Sequence, residues 1–252
     1  MNRIIAWIAL VVSLFAVAIG VVNIKKLGAV DVDSIVYEQP VNTLTPQEIE
    51  EGWILMFDGE TLNGWRGYNR TTLPDSGWIV ENGTIRCEGS GGDIIYDRKF
   101  TNFEFKIEWK ISEGGNSGIF YLVQEIEGVP IYMSAPEMQV LDNYRHPDAN
   151  AGVNGNRKAC ALYDLIPPVP LSEKPAGEWN TVRLVINNGH VTHYFNGNKV
   201  VEYQLDSPEF AELVAKSKFS KAEHFAKATE GFIGVQDHGN AVWFRNIKIK
   251  EL

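Results

Sequence analysis

Between Phe103 and Ile111 the sequence FEFKIEWKI alternates apolar and charged residues without interruption. Phe103, Phe105, Ile107, Trp109 and Ile111 fall on one side of an extended chain, and Glu104, Lys106, Glu108 and Lys110 on the other. A helix buries residues three and four apart, so this period of two requires a strand with one dry and one wet face. Such a strand belongs to an antiparallel sheet packed on an apolar layer. Asn82-Gly83 lies between Trp78-Ile79-Val80 and Thr84-Ile85-Arg86, and Asn196-Gly197 separates VTHYF from KVVEY. Asn-Gly pairs in that setting predict two-residue hairpin turns. Residues 179–186, 232–235 and 242–250 also read as strands. Thr45-Pro46-Gln47-Glu48 and Ser207-Pro208-Glu209 carry a capping side chain followed by proline, which predicts one or two short helices. Many short strands with Asn-Gly and Gly-rich turns predict an all-β sandwich of two antiparallel sheets.

The N-terminus bears on compartment. Arg3 precedes an apolar run over residues 4–22, and Lys25 and Lys26 follow it. One reading is a cleaved signal peptide with Ala16-Val17-Ala18 as its processing site. The other is an uncleaved membrane anchor, since a run of about 19 apolar residues just spans a bilayer. The expected organisation is a signal peptide or anchor (1–26), a linker (27–45) and one domain (46–252), with an apolar helix at the N-terminus. Both readings export the domain. A net charge of -9 argues against nucleic acid as a partner, because phosphate binding needs a basic face. The two cysteines, Cys87 and Cys160, make neither a metal cage nor a disulfide framework, which leaves one disulfide or two buried thiols. No metal site and no cofactor are expected: His pairs at helical spacing, an EF-hand loop and a phosphate loop are all missing from the sequence.

Strand parity separates candidate site residues from core. In EMQVL (residues 137–141) Met138 and Val140 share one face, and Glu137, Gln139 and Leu141 share the other. In GFIGVQDHG (residues 231–239) Ile233 and Val235 form the apolar set, while Phe232, Gln236 and His238 oppose it. Asp237 falls on the core side by parity, or caps a turn. If both strands lie in one sheet, Glu137, Gln139, Gln236 and His238 line a shared groove. A carboxylate, an imidazole and amides are what is needed to hold a polyol and move a proton. Alternation alone is also what a solvated sheet face shows. His190 and His193, beside the second hairpin, are expected to face solvent.

Several motifs then occur in a recognisable order: GWILMFDGETLNGW, GGDIIYDRKFTNFEFKIEWKIS, GGNSGIFY, PEMQVLDN, HPDA, GEWNTVRLV and VQDHG. Together they resemble the 3-keto-disaccharide hydrolase domain family, over about residues 46–252. The resemblance implies a concanavalin-like, jelly-roll sandwich and a sugar substrate whose 3-hydroxyl is oxidised to a ketone. It also implies a bacterial envelope protein, periplasmic or membrane-anchored. Cys160 stands where the family pattern places a glycine before Ala-Leu-Tyr.

A C3 ketone acidifies the hydrogen on C2, so one base can start elimination of the C1 substituent, with or without later hydration. Glu137 and His238 are the candidate base and acid. Gln139, Asn116 and Gln236 are candidates for binding hydroxyls or the keto oxygen, and Asp142 and His146 for the rim or proton transfer. Two other readings stand beside this one. A non-catalytic carbohydrate-binding module would use Trp65 and Tyr68 as platforms. A two-carboxylate glycosidase would use Glu137 with Asp142, whose opposite strand parity counts against it.

Overall fold

The computed structural model describes residues 40–252. The apolar N-terminal run and both of its readings lie outside the described residues. In chain order the strands are β1 (Ile54–Leu55), β2 (Trp65–Gly67), β3 (Trp78–Glu81), β4 (Thr84–Cys87), β5 (Ile94–Tyr96), β6 (Phe103–Ile111), β7 (Asn116–Val123), β8 (Glu137–Leu141), β9 (Asn180–Asn187), β10 (His190–Phe195), β11 (Asn198–Gln204), β12 (Phe232–Val235) and β13 (Val242–Glu251). Two helices, α1 (Pro46–Glu50) and α2 (Pro208–Lys216), begin at the predicted caps. Thr45 and Glu48 form a reciprocal capping box, and the Ser207 hydroxyl accepts from the Phe210 N–H. An eight-stranded sheet runs β11-β10-β9-β6-β13-β4-β3, with β1 also on β13, and a five-stranded sheet runs β2-β5-β12-β7-β8. Both are antiparallel, as the sequence predicts.

Burial along β6 follows the sequence pattern residue by residue, with the five apolar side chains in the core. The four charged ones stay on the surface in pairs and stacks: Glu104 with Arg183 at 2.6 Å, Glu108 with Arg245 at 2.8 Å, and the Lys106 ammonium 4.1 Å above the Trp53 ring. Both Asn-Gly pairs adopt the positive φ angles that their tight turns require. Cys87 and Cys160 are both buried and unpaired.

A bulge between Arg245 and Lys248 resets the phase of β13, so Val242 and Phe244 and then Ile247 and Ile249 all reach the core. Asn42 holds that bulge. Its N–H donates to Asn246 Oδ1 at 2.5 Å, its Oδ1 accepts from the Asn246 N–H at 2.8 Å, and its Nδ2 donates to the Gly83 carbonyl. This residue, placed in the linker by sequence, is buried against the sheet.

His193 corrects the expectation that both histidines of β10 face solvent. His190 is exposed beside Glu202, whereas His193 is fully buried, because residues three apart on a strand lie on opposite faces. Its Nδ1 lies 3.1 Å from the Cys160 carbonyl and its Nε2 3.0 Å from the Tyr121 hydroxyl. Burial pushes its pKa down to about 4, so the ring is neutral at pH 7. A carbonyl only accepts, so Nδ1 carries the proton and Nε2 accepts from Tyr121, whose oxygen in turn accepts from the Tyr203 hydroxyl at 2.6 Å. This chain links the larger sheet to the smaller one and to the segment that carries Cys160.

Replacing Asn42 by Ala removes an acceptor from the Asn246 N–H and a donor from the Gly83 carbonyl. The expected cost is about 1–3 kcal/mol. That corresponds to a fall of roughly 3–10 °C in a thermal melt. An unchanged midpoint would show that the N-terminal clamp is dispensable.

Candidate active site

β7 and β8 are buried on both faces, unlike the half-wet strands of the larger sheet. Their inner face supplies Ile119, Tyr121, Met138 and Val140 to the main core. The outer face divides in two. At one end Ile95, Phe120, Val123, Ile131, Ala135 and Phe232 form a separate apolar cluster. At the other end the face turns polar, and a cleft of about 350 Å³ opens there. Asn116, Tyr132, Glu137, Gln139, Tyr163, Lys218, Gln236 and His238 line it.

Register explains the grouping. Gln139 lies opposite Gly118 and Glu137 opposite Phe120, while the Gln236 N–H donates to the Gly118 carbonyl at 2.9 Å. Glu137 and Gln139 of β8, Asn116 of β7 and Gln236, directly after β12, thus share one surface. Gly118 is the hollow beneath it: a Cβ there would come within 2.3 Å of Glu137 Oε1. Residues 160–163 close the edge of β8, with Cys160 N–H on the Gln139 carbonyl at 2.7 Å and Tyr163 N–H on the Glu137 carbonyl at 3.0 Å. Cys160 holds φ 67, the left-handed conformation that a glycine takes without strain. The loop therefore keeps the backbone shape expected for a glycine there, and Tyr163 is delivered to the cleft.

Glu137 is 5% exposed, and no hydrogen bond reaches its carboxyl among the described residues. Burial pushes its pKa up to about 8; the Lys218 ammonium opposes this, and the negative charges of Asp93 and Asp148 add to it. Two other buried groups are unpartnered here, the side-chain oxygens Asn116 Oδ1 and Gln236 Oε1. Buried acceptors are ordinarily satisfied, so this pair marks where a ligand's hydroxyls would donate. Gln139 is held by its neighbours, accepting from the Val140 N–H and donating to the Arg157 carbonyl.

The remaining predicted residues sit at or beyond the rim. His238 is exposed and lines the cleft, with its ring edge-to-face against His146 at 6.4 Å. His146 stands behind it: its Nδ1 accepts from the Asp148 N–H at 3.2 Å, and burial, then the neighbouring His238, lower its pKa. Asp142 does not line the cleft. Its carboxylate accepts from the Gly114 and Tyr144 N–H groups at 2.8 and 3.0 Å, with Arg145 at 3.4 Å. Burial works to raise its pKa, but those hydrogen bonds outweigh it and hold the group ionised. Asp237 caps a turn, accepting from Gly91 and Gly92. Neither proposed platform lines the cleft: Trp65 is buried with its N–H on the Met56 carbonyl, and the half-buried Tyr68 packs on the separate apolar cluster with its hydroxyl at the Gln124 and Val129 carbonyls. Among the described residues no group of three or more His, Cys, Asp or Glu side chains assembles as a metal site, and no helix is long and apolar enough to cross a membrane.

Three lining residues escape sequence parity. Tyr132 comes from a 3-10 turn (Ile131–Met133), Tyr163 from the edge segment, and Lys218 from the loop after α2. The Tyr163 hydroxyl donates to Asp148 at 2.7 Å, Arg157 bridges Asp148 and Asp164, and Asp164 accepts the Lys218 N–H at 2.9 Å. Tyr163 at least lies in a run that continues the edge pairing; nothing in the sequence around Lys218 points to the cleft.

Residues 52–250 match the model of the 3-keto-alpha-glucoside-1,2-lyase-like domain. The chain belongs to that family. A curated protein of Bacteroides thetaiotaomicron named 3-keto-disaccharide hydrolase is 44% identical over 256 residues, spanning 90% of this chain and 85% of the relative. A crystal structure of a candidate glycosyl hydrolase from Parabacteroides distasonis superposes with a TM-score of 0.79 at 32% identity, over 84% of this chain and all of that one. A second from the same organism gives 0.61 at 25% identity over 75% of this chain and all of that one. Family membership and these superpositions agree with the concanavalin-like sandwich implied by the sequence motifs.

Gly118→Ala should displace the Glu137 carboxyl while leaving the fold intact, because Gly118 does not need a positive φ. If Glu137 acts on the substrate, displacing its carboxyl should lower turnover by about 100-fold. A folded variant with unaltered turnover would remove Glu137's placement over Gly118 from the picture. The raised pKa of Glu137 also couples to stability. Its contribution is fully present below the unfolded carboxyl value and is lost as pH rises towards about 8. The melting point of Glu137→Gln relative to wild type should therefore climb between about pH 5 and about pH 8. A flat difference across that range would show that the carboxyl is not buried.

Proposed function

We propose that this carbohydrate-active hydrolase cleaves the glycosidic bond of a 3-keto-glycoside, beginning with removal of the C2 proton. One observation carries the reading: a buried, unpartnered carboxyl, Glu137, shares a cleft with the unpartnered Asn116 and Gln236 oxygens. The relative named 3-keto-disaccharide hydrolase and the lyase-like family support the same substrate class.

As a carboxylate, Glu137 removes the C2 proton that the neighbouring ketone acidifies. Its raised pKa makes it a stronger base than an ordinary carboxylate, nearer to the acidity of the carbon it attacks. The C2–H electron pair moves into the C2–C3 bond and the ketone electrons onto O3. When the ketone re-forms, the C1–O bond breaks and the aglycone oxygen departs, taking a proton from His238 or from protonated Glu137. The products are a 2-hydroxy-3-keto glycal and the free aglycone. Addition of water across C1 and C2 then completes a net hydrolysis. Asn116 and Gln236 accept from sugar hydroxyls and fix the ring over Gly118.

The two-carboxylate alternative loses its second member, since the Asp142 carboxylate is turned to backbone N–H groups. A binding module built on Trp65 and Tyr68 is disfavoured, since neither residue lines the cleft and Trp65 is buried. Export to the bacterial envelope is part of the proposal and rests on the apolar run over residues 4–22.

A 3-keto-glucoside and its unoxidised parent, incubated with the protein and followed by NMR, test the reaction class. Only the keto form should disappear, Glu137→Gln should lower turnover by about 100-fold or more, and deuterium at C2 should slow the reaction. Because the base must be ionised, kcat/KM should rise with pH on a limb near 8, above the usual carboxylate range near 4. Consumption of the unoxidised parent at a similar rate would sink the proposal.

A further inference from the structure

Removal of the C2 proton places a full negative charge on O3, and Asn116, Gln236 and Glu137 bring no positive charge to offset it. Asn116 and Gln236 are neutral amides, and Glu137 is acidic. We infer that Lys218 donates to the substrate's O3 and stabilises the enolate that forms as Glu137 takes the proton. The inference rests on the keto-sugar reading of this cleft.

Five observations single out Lys218. It lines the same cleft as Glu137. Its ammonium lies 4.1 Å from the centre of the Tyr163 ring and 5.3 Å from that of Tyr132, both cleft aromatics. Among the described residues no salt bridge or hydrogen bond engages that ammonium, only the longer-range fields of Glu137, Asp164 and Asp148. Arg157, the nearby alternative cation, is already committed to Asp148 and Asp164. Lastly, the backbone is fixed on both sides of the side chain. The Lys218 N–H donates to Asp164, and the next residue, Phe219, is buried and stacked on Phe225 at 3.9 Å.

Lys218 is exposed, but its braced backbone and the Tyr163 and Tyr132 rings keep its ammonium beside the cleft, which lowers the reorganisation needed when charge develops there. The aromatic faces favour the cation without neutralising it, as a carboxylate partner would. The N–H groups of an ammonium only donate, so the site discriminates for an oxygen that gains charge. No electrons or atoms are exchanged with Lys218; it gives a hydrogen bond to O3 when the C2–H bond breaks and weakens it when the ketone re-forms.

The test uses the full chain with methyl 3-keto-glucoside as substrate, comparing wild type, Lys218→Met and Lys218→Arg. Lys218→Met should lower kcat by about 100-fold, with KM moved by much less. Exchange of the C2 hydrogen with deuterated solvent should slow in parallel, and Lys218→Arg should recover part of the loss. The acid limb of kcat/KM should also shift to higher pH in Lys218→Met, because the carboxylate of Glu137 loses a favourable field, an effect that a purely structural residue would not produce. If wild type turns over the keto-glucoside and folded Lys218→Met stays within about threefold of it, the role of Lys218 is overturned while the reaction class stands. If wild type leaves the keto-glucoside untouched, the reaction class fails and this inference falls with it. Should Lys218→Met not fold, Lys218→Gln carries the same measurements.

Discussion

Two antiparallel sheets bury their facing sides against each other, and the pleat of the smaller one decides which residues are left for chemistry. In β7, β8 and β12 every second side chain belongs to the core, so the intervening ones share the outer surface. An apolar cluster covers half of that surface. The other half is walled by the 160–163 segment and the loop after α2, and it forms the cleft. Gly118, which has no side chain, makes room for the Glu137 carboxyl.

Burial then gives that carboxyl its chemistry. A carboxyl in a dry site with no hydrogen-bond donor holds its proton more tightly, and when ionised it is a stronger base than one in water. Asp142, five residues along the chain, shows the opposite outcome: buried too, but surrounded by N–H donors, it stays ionised and serves as a loop cap. The difference between the two lies in their donors. The surrounding loops are tied together by Arg157, which bridges Asp148 and Asp164 and through them orders Tyr163 and the backbone of Lys218. Glu137 and Lys218 thus reach the cleft from separate segments, β8 and the loop after α2, that the edge residue Tyr163 and this ion-pair network join.

Much of this was legible in one dimension. The alternation of β6, the two Asn-Gly turns and both helix caps appear where the pattern places them. Parity alone brought Glu137, Gln139, Gln236 and His238 to one groove, because the period of a strand is two whatever its partners. Parity could not rank them. Gln139 is spent on its own backbone neighbourhood, whereas Gln236 keeps a free oxygen, and only the paired strand and the Arg157 carbonyl separate those cases. Asp142 looked chemical for its polar neighbours, yet those neighbours' backbone is what occupies it. His193 and Asn42 were misplaced for a related reason: each is buried by contacts that reach across the fold, to Tyr121 and Cys160 in one case and to Asn246 in the other.

By itself, then, the sequence determined the strands, their dry and wet faces, the turns between them and the family, because hydrophobic alternation and turn chemistry act over a few residues. Tertiary structure alone decided which polar side chains remain unpartnered, how far Glu137 is desolvated, and that Lys218 and Tyr132 share its cleft. Those properties depend on groups brought together from segments far apart in the chain, and no local pattern records them.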